Sequence, residues 1–591
     1  MNFEKKDFFF FNIFTFLIIL LVPYSLILNG SGFMAEAVTT KVYSFRFLVI
    51  AASFLVLFSL LFSIWKNRTL NIVMQFKHPI FTVYILFLLT MLVSNLLSPR
   101  PELSFWSKYS RMDGYWQSIF LFQFLGILLA VCKSEKHWLY LVCSFLSASW
   151  ILFFVLLAQQ SGLLATAEPQ RFAATMGNPI YFGYIMAASY VLHTAIMFVW
   201  RNKKCSWAFF AGSVACLYSV YWSQSRSDVL ALFTSLILVI AIAIFILKKQ
   251  IKKNILVLSA QLICTAIFVY LAKFYFELNI SDRILSYAPT DDSILTRWQL
   301  WHQAWHSFLQ KPWLGWGQEN FSLATDVLSG LTNEPWHDRV HNLVLEILYS
   351  FGLLGLSVYA FFQFLILKTI QRMIRNKQNE NKGLLLLALY VFNMTFSLFV
   401  FDFLTSSVVM SVFLGYLIYT DSSSENKNLN FQLDYIKWGG ILIFFLGLTF
   451  QSYNLIKDIS DNRKLHAALT QPQLFILDEN QQPKMLLQDL VDKNPTDLQT
   501  TIEVLMAVGS QAAHEQTDPI FRQLIYETVD KNLQRQILQY PQDAKFYMYA
   551  GRFYSAFQQT VIARKMFQQS LQLYPHNLEV KQLLSQIDKN L

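Results

Sequence analysis

The sequence predicts an all-α, polytopic membrane protein, in which a bundle of about 12–13 transmembrane helices precedes a soluble helical tail. Of the 591 residues, 55% are hydrophobic and only 14% are charged, whereas a soluble domain carries roughly 25% charged residues. Apolar runs of about 20 residues, the length that crosses a bilayer as a helix, recur along the chain. These observations exclude a disordered chain, a coiled coil and a single soluble α/β enzyme.

Thirteen apolar runs are candidates for membrane-spanning helices. They lie near 9–29, 45–65, 79–97, 115–132, 138–158, 179–199, 206–222, 229–247, 254–274, 341–367, 383–401, 406–420 and 436–453. The first run lacks a small-residue cleavage site, so we expect it to be a retained helix rather than a signal peptide.

The Lys and Arg residues of the loops predict the orientation. With the N-terminus in the cytoplasm, the inner segments hold twenty-one basic residues and the outer segments ten. The net charge of +10 is therefore explained by topology, and we expect no nucleic-acid partner. The five cysteines lie in or beside apolar stretches and form neither a disulfide framework nor a zinc ribbon.

We expect three regions: a transmembrane domain over 1–455, an extracytoplasmic loop over 275–340 within it, and an extracytoplasmic helical tail over 456–591. In the loop, Arg297, Trp301, Trp305 and Phe308 recur at helical spacing, which predicts an interfacial helix over Thr296–Leu309. Simple anchoring at the interface is the alternative role for the tryptophans. Lys311–Pro312 should end this helix, and the two glycines of WLGWGQENF should form a tight turn.

The tail has a balanced composition, with 14 basic and 15 acidic residues from Leu455 onward. Residues 544–577 fit a tetratricopeptide unit of about 34 residues. The residues that fit the repeat pattern are Tyr547, Gly551, Tyr554, Ala563, Phe567 and Pro575. Stacked helix pairs form concave surfaces, so the tail favours a large acceptor or a protein partner. An unspecific helical tail is the alternative.

The outer loop ends in His337-Asp338-Arg339-Val340-His341-Asn342, directly before an apolar span. A histidine at the mouth of a transmembrane helix is well placed to act as a general base at the membrane surface. An interfacial polar residue is one alternative for His341. Another is a metal site, because His337 and His341 are spaced like the histidines of a zincin H-E-x-x-H motif, with Asp in place of Glu.

Three arginines lie at the predicted outer ends of spans: Arg171, Arg226 and Arg339. Arginine near hydrocarbon needs a counter-ion, and Asp228, Glu168 and Asp338 are candidates for that role. The alternative is that several guanidinium groups converge on the oxygens of a pyrophosphate, for which planar bidentate donors are suited.

These segments together resemble the O-antigen ligase and polymerase superfamily of bacterial envelope glycan transferases. The segments that carry the resemblance are KYSRMDGYWQ at 108–117, GNPIYFGYIM at 177–186, SQSRSDVLAL at 223–232, TRWQLWHQAWHSFLQKPWLGWGQENF at 296–321 and HNLVLEILYSFGLLGL at 341–356. The resemblance covers roughly residues 100–415 and depends on the order and spacing of the segments. In the segment 223–232, the Ser-Arg-Gly that is usual in the family reads Ser225-Arg226-Ser227, which keeps the charge but not the backbone freedom of glycine.

The resemblance implies a metal-independent, GT-C-like glycosyltransferase without a cofactor, acting on the outer side of the cytoplasmic membrane. It would move a preassembled glycan from an undecaprenyl-pyrophosphate donor to a hydroxyl acceptor on a lipid, polymer or protein. By resemblance, His341 is the catalytic base, and Arg171, Arg226 and Arg297 bind the pyrophosphate. The supporting residues implied are Asn178, Arg339, Asn342 and Arg111.

Other functions remain open from the sequence. A polysaccharide polymerase or a protein O-oligosaccharyltransferase would share the same site. A polysaccharide transporter would instead need polar residues at mid-span, for which Glu346, Asp402 and His193 are the candidates.

Overall fold

A computed structural model provides the structure of the protein. It describes residues 3–65, 70–72, 74–166, 171–199, 206–242, 244, 252–275, 292–326, 338–422, 429–431 and 435–470, and, in the tail, 500–590 except for 502, 505, 508–518 and 576.

Each of the thirteen predicted spans coincides with a helix of the described chain. These helices are α1 (Phe3–Ser25), α2 (Glu36–Trp65), α3 (Pro79–Leu96), α5 (Tyr115–Val131), α6 (Glu135–Gln160), α7 (Pro179–Val199), α8 (Ser206–Ser223), α9 (Arg226–Ala241), α10 (Lys252–Tyr275), α13 (Leu343–Arg375), α14 (Glu380–Ser397), α15 (Leu404–Ser422) and α16 (Tyr435–Thr470). The predicted all-α membrane bundle is confirmed. The only strands in the described residues are β1 (Leu70–Ile72) and β2 (Leu429–Phe431), which pair antiparallel.

Within the described residues, eight of these helices are long and apolar enough to cross a membrane: α2, α3, α6, α7, α10, α13, α15 and α16. The apolar parts of α1 and α5 are shorter. Helix α8 is rich in Ser, Ala and Gly, and its second half is buried, as expected for an interior helix that packs through small residues. The count of 12–13 spans therefore remains a prediction beyond these eight.

Helix α13 is kinked at Gly352, whose φ of 64° and ψ of −162° only glycine adopts readily. The loop 312–317 packs into this kink and replaces helical hydrogen bonds. Trp316 N donates to Tyr349 O (2.9 Å), Gly317 N to Ser350 O (2.8 Å), and Leu353 N to Pro312 O (2.8 Å). The predicted turn at the two glycines is confirmed, since both have positive φ. The loop preceding His341 is thereby fixed to the helix that follows it.

Within the described residues, the segments between these thirteen helices hold three more α-helices, α4 (Pro101–Trp106), α11 (Asp292–Gln310) and α12 (Phe321–Asp326), and a 3₁₀ helix at Met74–Lys77. The predicted amphipathic helix lies within α11, which ends directly before Lys311 as expected. One side of α11 buries Leu300, Ala304 and Phe308, whereas Trp298 and Trp305 are exposed.

Loops predicted for the same side of the membrane contact one another. At one end of the bundle, His78 Nε2 lies 3.1 Å from Asp421 Oδ2, Lys382 donates to Glu135 (2.6 Å), and β1 pairs with β2. At the other end, segments 98–114, 311–320 and 338–342 form a polar cluster described below. These contacts agree with the predicted alternation of the spans.

The boundary expected at 455 falls inside α16, which continues to Thr470. Its second half packs on α2, whose Arg46 pairs with Asp458 (3.8 Å), and on the residues before α2, where Met34 N donates to Asn462 Oδ1 (2.8 Å). In the sequence, the polar residues after 455 indicate where the membrane-spanning part ends, but the helix continues past them.

The tail contains α17 (Pro519–Gln539), α18 (Ala544–Ala556), α19 (Thr560–Leu573) and α20 (Leu578–Asn590). Helices α18 and α19 form an antiparallel pair at the predicted positions. A Cβ on Gly551 would lie 2.5 Å from the Phe567 ring, so glycine permits the close approach of the two helices. Tyr554, Ala563 and Phe567 are buried. The classification of this pair as a tetratricopeptide repeat remains a prediction.

Candidate active site

The segment 398–403 between α14 and α15 is the hub of the site, because side chains from four other segments contact it. Asn342 Nδ2 donates to Leu398 O (3.1 Å), and the ring of Trp301 lies 6.5 Å from that of Phe399. The Phe401 ring meets the His341 ring edge-on at 5.1 Å, and Phe403 stacks on Tyr181 at 4.0 Å. The hub thus joins α7, α11, the start of α13 and, through Arg111 over the Phe401 ring, the segment before α5.

His341 sits at the mouth of α13 in a left-handed backbone conformation, with φ of 56°. This conformation is uncommon for a residue with a Cβ. The next residue, Asn342, caps the helix by accepting a hydrogen bond from Leu345 N through Oδ1 (3.1 Å). The cap and the hub therefore fix the direction in which the imidazole leaves the backbone.

Arg339 is held by three carboxylates on three different segments. Its guanidinium donates to Asp113 Oδ1 (2.5 Å), to Glu346 Oε1 (3.0 Å) and to Glu319 Oε1. The Arg339 side chain is 5% exposed and that of Glu319 is fully buried. Glu346 also accepts from Val340 N (3.0 Å), next to His341. Arg339 is therefore a structural anchor of the site, and its partners differ from the Asp338 suggested by the sequence.

Arg111 forms a bidentate pair with Asp338, with N–O distances of 2.9 and 3.0 Å, and donates to the hydroxyl of Tyr181 (3.2 Å). Its guanidinium also lies 4.5 Å above the centre of the Phe401 ring. Burial alone would raise the pKa of Asp338, but the Arg111 guanidinium and its hydrogen bonds hold this pKa below its usual range. Arg111 and His341 thus contact the same aromatic ring.

Arg171 and Arg226 belong to a second group, around the junction of α8 and α9. Phe172 N donates to Trp222 O (3.2 Å), which holds the segment after Arg171 on the end of α8. Arg226 is the first residue of α9, and Arg171 interacts electrostatically with the buried Asp228. The predicted counter-ion Asp228 is thus close to Arg171, whereas Glu168 lies outside the described residues.

The first turn of α7 lies between the two groups. Asn178 accepts from Ile180 N through Oδ1 (2.8 Å) at the start of this helix. Tyr181 faces Arg111 and the hub, while a Cβ on Gly183 would lie 2.3 Å from Asp228 Oδ2. Arg297 lies on α11, one turn before Trp301, which contacts the hub.

Strained backbone concentrates in the segments that carry the predicted site residues. Among the described residues, eight non-glycine residues have positive φ, and six of them lie in these segments: Ser107, Met112, Ala174, Gln224, Glu319 and His341. Each such conformation costs of order 1–3 kcal/mol and persists only where the surroundings impose it, which is typical of functional sites.

The sequence reasoning missed four parts of the site: Asp113, Glu319, Tyr181 and the hub. Asp113 and Glu319 lie inside the segments quoted for the resemblance, but only the tertiary contact with Arg339 gives them a role. Glu346, considered as a mid-span transport residue, instead binds Arg339. His193 is buried in α7 against Gly212. His337 lies outside the described residues, so the metal-site alternative that uses it stays untested.

The fold and the site define a polytopic helical membrane protein with a strained, arginine-rich site at one end of its bundle. In a comparison with family models, residues 211–360 match the model described as O-antigen ligase, which supports the resemblance to the O-antigen ligase superfamily. The match includes Arg226, Arg297, Arg339, His341 and Asn342, while Arg111, Arg171 and Asn178 precede it. A search of curated proteins found no match.

Proposed function

We propose that the protein is a membrane glycosyltransferase that moves a preassembled glycan from an undecaprenyl-pyrophosphate donor to a hydroxyl acceptor. The transfer takes place on the outer side of the cytoplasmic membrane, with the N-terminus inside and the tail outside. The match of residues 211–360 to the O-antigen ligase model supports the class of reaction. The orientation rests on the bias of Lys and Arg in the loops.

The observation that carries the proposal is the position of His341. It lies in a strained conformation between an anchored arginine, Arg339, and a helix cap, Asn342. A rigidly oriented imidazole at the end of a membrane helix suits a base that must meet a substrate hydroxyl in one geometry. A solvated surface histidine would need none of these constraints.

In the proposed reaction His341 takes the proton of the acceptor hydroxyl as its oxygen attacks the anomeric carbon of the glycan. The bond between that carbon and the pyrophosphate oxygen breaks, and its electron pair leaves with the lipid pyrophosphate. Arg171, Arg226 and Arg297 offset the negative charge that grows on this leaving group. Arg111 pairs with Asp338 and Arg339 with Asp113, and these pairs hold the segments 98–114 and 338–342 together.

The test is to delete the gene and analyse lipid-linked glycans and surface glycans of the cell. A ligase predicts that long glycan chains accumulate on polyprenyl pyrophosphate and disappear from their acceptor. Accumulation of single repeat units would instead identify a polymerase, which shares the same site. Unchanged lipid-linked glycans would refute both.

A further inference from the structure

The tail of the chain docks on the segment that leads into the site. Asp543, at the start of α18, forms an ion pair with Arg100, at the start of α4. Both side chains are buried, with exposed fractions of 5% and 7%. Tyr540 donates a hydrogen bond to Glu102 Oε2 (2.9 Å) beside this pair.

Two aromatic rings of the tail enclose the same arginine. The Arg100 guanidinium lies 5.2 Å from the centre of the Tyr540 ring and 5.3 Å from that of Phe546. Desolvated cation–π contacts of this kind add to the attraction of the ion pair. The contact is therefore specific, because it combines one charge pair, one hydrogen bond and two ring faces.

Segment 98–114, which receives the tail, also carries residues of the site. Ser104 donates to Gln318 O (2.8 Å), and Ser107 Oγ lies 3.1 Å from Glu319 Oε1. Arg111 and Asp113 then engage Asp338 and Arg339. Arg111, eleven positions after Arg100, thus belongs to the cluster of charged residues beside His341.

The charge of Lys108 lies between the two contacts. It interacts electrostatically with Lys545 and Glu503 of the tail and also with Glu319 and Asp338 of the site. The backbone on either side of it is strained, since Ser107 and Met112 both have positive φ. A strained segment keeps its conformation only when its surroundings hold it on several sides, and the tail is one of those sides.

We propose that the docked tail positions segment 98–114, so that Arg100 and Asp543 are positioning residues for the glycan transfer. The proposal rests on the proposed function for its catalytic consequence, but not for the contact itself. The tail then has a role within its own chain, whatever partner its helices bind. Loss of the contact leaves His341 and its helix cap in place and loosens the Arg111–Asp338 pair beside them.

The test compares Arg100→Gln, Asp543→Asn and the double variant of the full-length protein. Asp543 also caps α18 by accepting from Lys545 N (3.0 Å), and Asn caps a helix as well as Asp does. Asp543→Asn therefore removes the charge and keeps the cap. The matched control is Asp588→Asn, whose pair with Arg564 is exposed on the same tail.

The first readout is amide hydrogen exchange of residues 101–113 in detergent. The second is the turnover of undecaprenyl-pyrophosphate-linked glycan extracted from the host cell. In all three variants we expect faster exchange and a kcat lowered about ten- to hundredfold, with a smaller change in KM, since small misplacement of a site costs rate of this order. The double variant should be no worse than the single ones, because both act through one contact.

Exchange and turnover equal to those of Asp588→Asn would overturn the proposal. Faster exchange with normal turnover would overturn it as well, because the contact would then exist without positioning the site. If His341→Ala retains transfer, the proposed function fails, whereas the exchange of residues 101–113 still reports on the contact.

Discussion

Replacing Arg339 by Gln should destabilise the fold strongly, because it removes the one guanidinium that three carboxylates share. Asp113, Glu319 and Glu346 come from the segment before α5, the loop before α12 and the first turn of α13. Without Arg339 these carboxylates face one another in a site where Glu319 is fully buried. The variant also weakens the position of Val340, which Glu346 holds.

The expected loss is about 3–5 kcal/mol, the usual cost of removing one partner of a buried ion pair. A matched control is Arg372→Gln. Arg372 pairs with Asp421 at 3.4 Å, but its side chain is 61% exposed. Exposed pairs contribute about 0–1 kcal/mol, so the two variants should differ by at least about 2 kcal/mol.

The loss should also depend on pH. Burial raises the pKa of Glu319, and Arg339 opposes that rise, so the variant should raise this pKa further. A carboxyl group whose folded pKa lies above its unfolded value destabilises the fold progressively as pH rises from the unfolded to the folded pKa. The defect of Arg339→Gln should therefore be larger at pH 8 than at pH 5.

The assay is thermal unfolding of the purified protein in detergent at both pH values. We also expect the double variant Arg339→Gln/Glu319→Gln to recover part of the loss, because one buried charge is removed. If Arg339→Gln unfolds at the same temperature as Arg372→Gln at pH 8, the carboxylate cluster does not hold the site together.

Three further outcomes are expected. Asp402→Asn should stabilise the fold at pH 7.5 by up to about 3 kcal/mol and have no effect near pH 4. Burial raises the pKa of Asp402 to about 6, so the charge of this carboxylate destabilises the fold as pH rises. Equal unfolding temperatures of the variant and the wild type at pH 7.5 would contradict this. Gly352→Ala should prevent stable folding because its Cβ would lie 2.4 Å from backbone atoms of Trp313. The control Gly447→Ala, whose Cβ would have no atom within 4 Å, should change the free energy of unfolding by about 1 kcal/mol at most. Size-exclusion profiles in detergent will distinguish the two variants. Arg226→Gln should lower glycan transfer about 100-fold and Arg226→Lys less, because charge-assisted contacts to phosphate are strong. The control Arg375→Gln, at the opposite end of the bundle, should keep full transfer. Equal transfer by Arg226→Gln and Arg375→Gln would show that Arg226 does not bind the phosphate.

The helices could be predicted from the sequence because membrane spans are defined by local composition. All thirteen apolar runs are helical. The end of α11 at Gln310 and the turn at Gly315 and Gly317 follow from the backbone preferences of proline and glycine. The kink at Gly352 could not be predicted, because it depends on loop 312–317 packing into α13. The boundary predicted at 455 lies within α16, because this helix continues into polar sequence and packs on α2.

The site could be predicted only in part, for a related reason. His341 and the arginines stand out as isolated charges at the ends of apolar runs, where charge is costly. Their partners do not stand out, since Asp113 and Glu319 lie more than 200 residues apart and meet only through Arg339. The hub 398–403 has no sequence signal beyond its aromatic residues, yet it joins the segments of the site.

The most direct test of the central claim is the restoration of glycan transfer in the deletion strain by His341→Ala, compared with His302→Ala. His302 is an exposed histidine on α11, in the same segment between α10 and α13. We predict that the His341 variant inserts in the membrane and unfolds at the wild-type temperature, but transfers no glycan from its lipid pyrophosphate, while the His302 variant restores transfer fully. Transfer by the His341 variant at the level of the His302 variant would show that this histidine is not the base and would contradict the proposed mechanism.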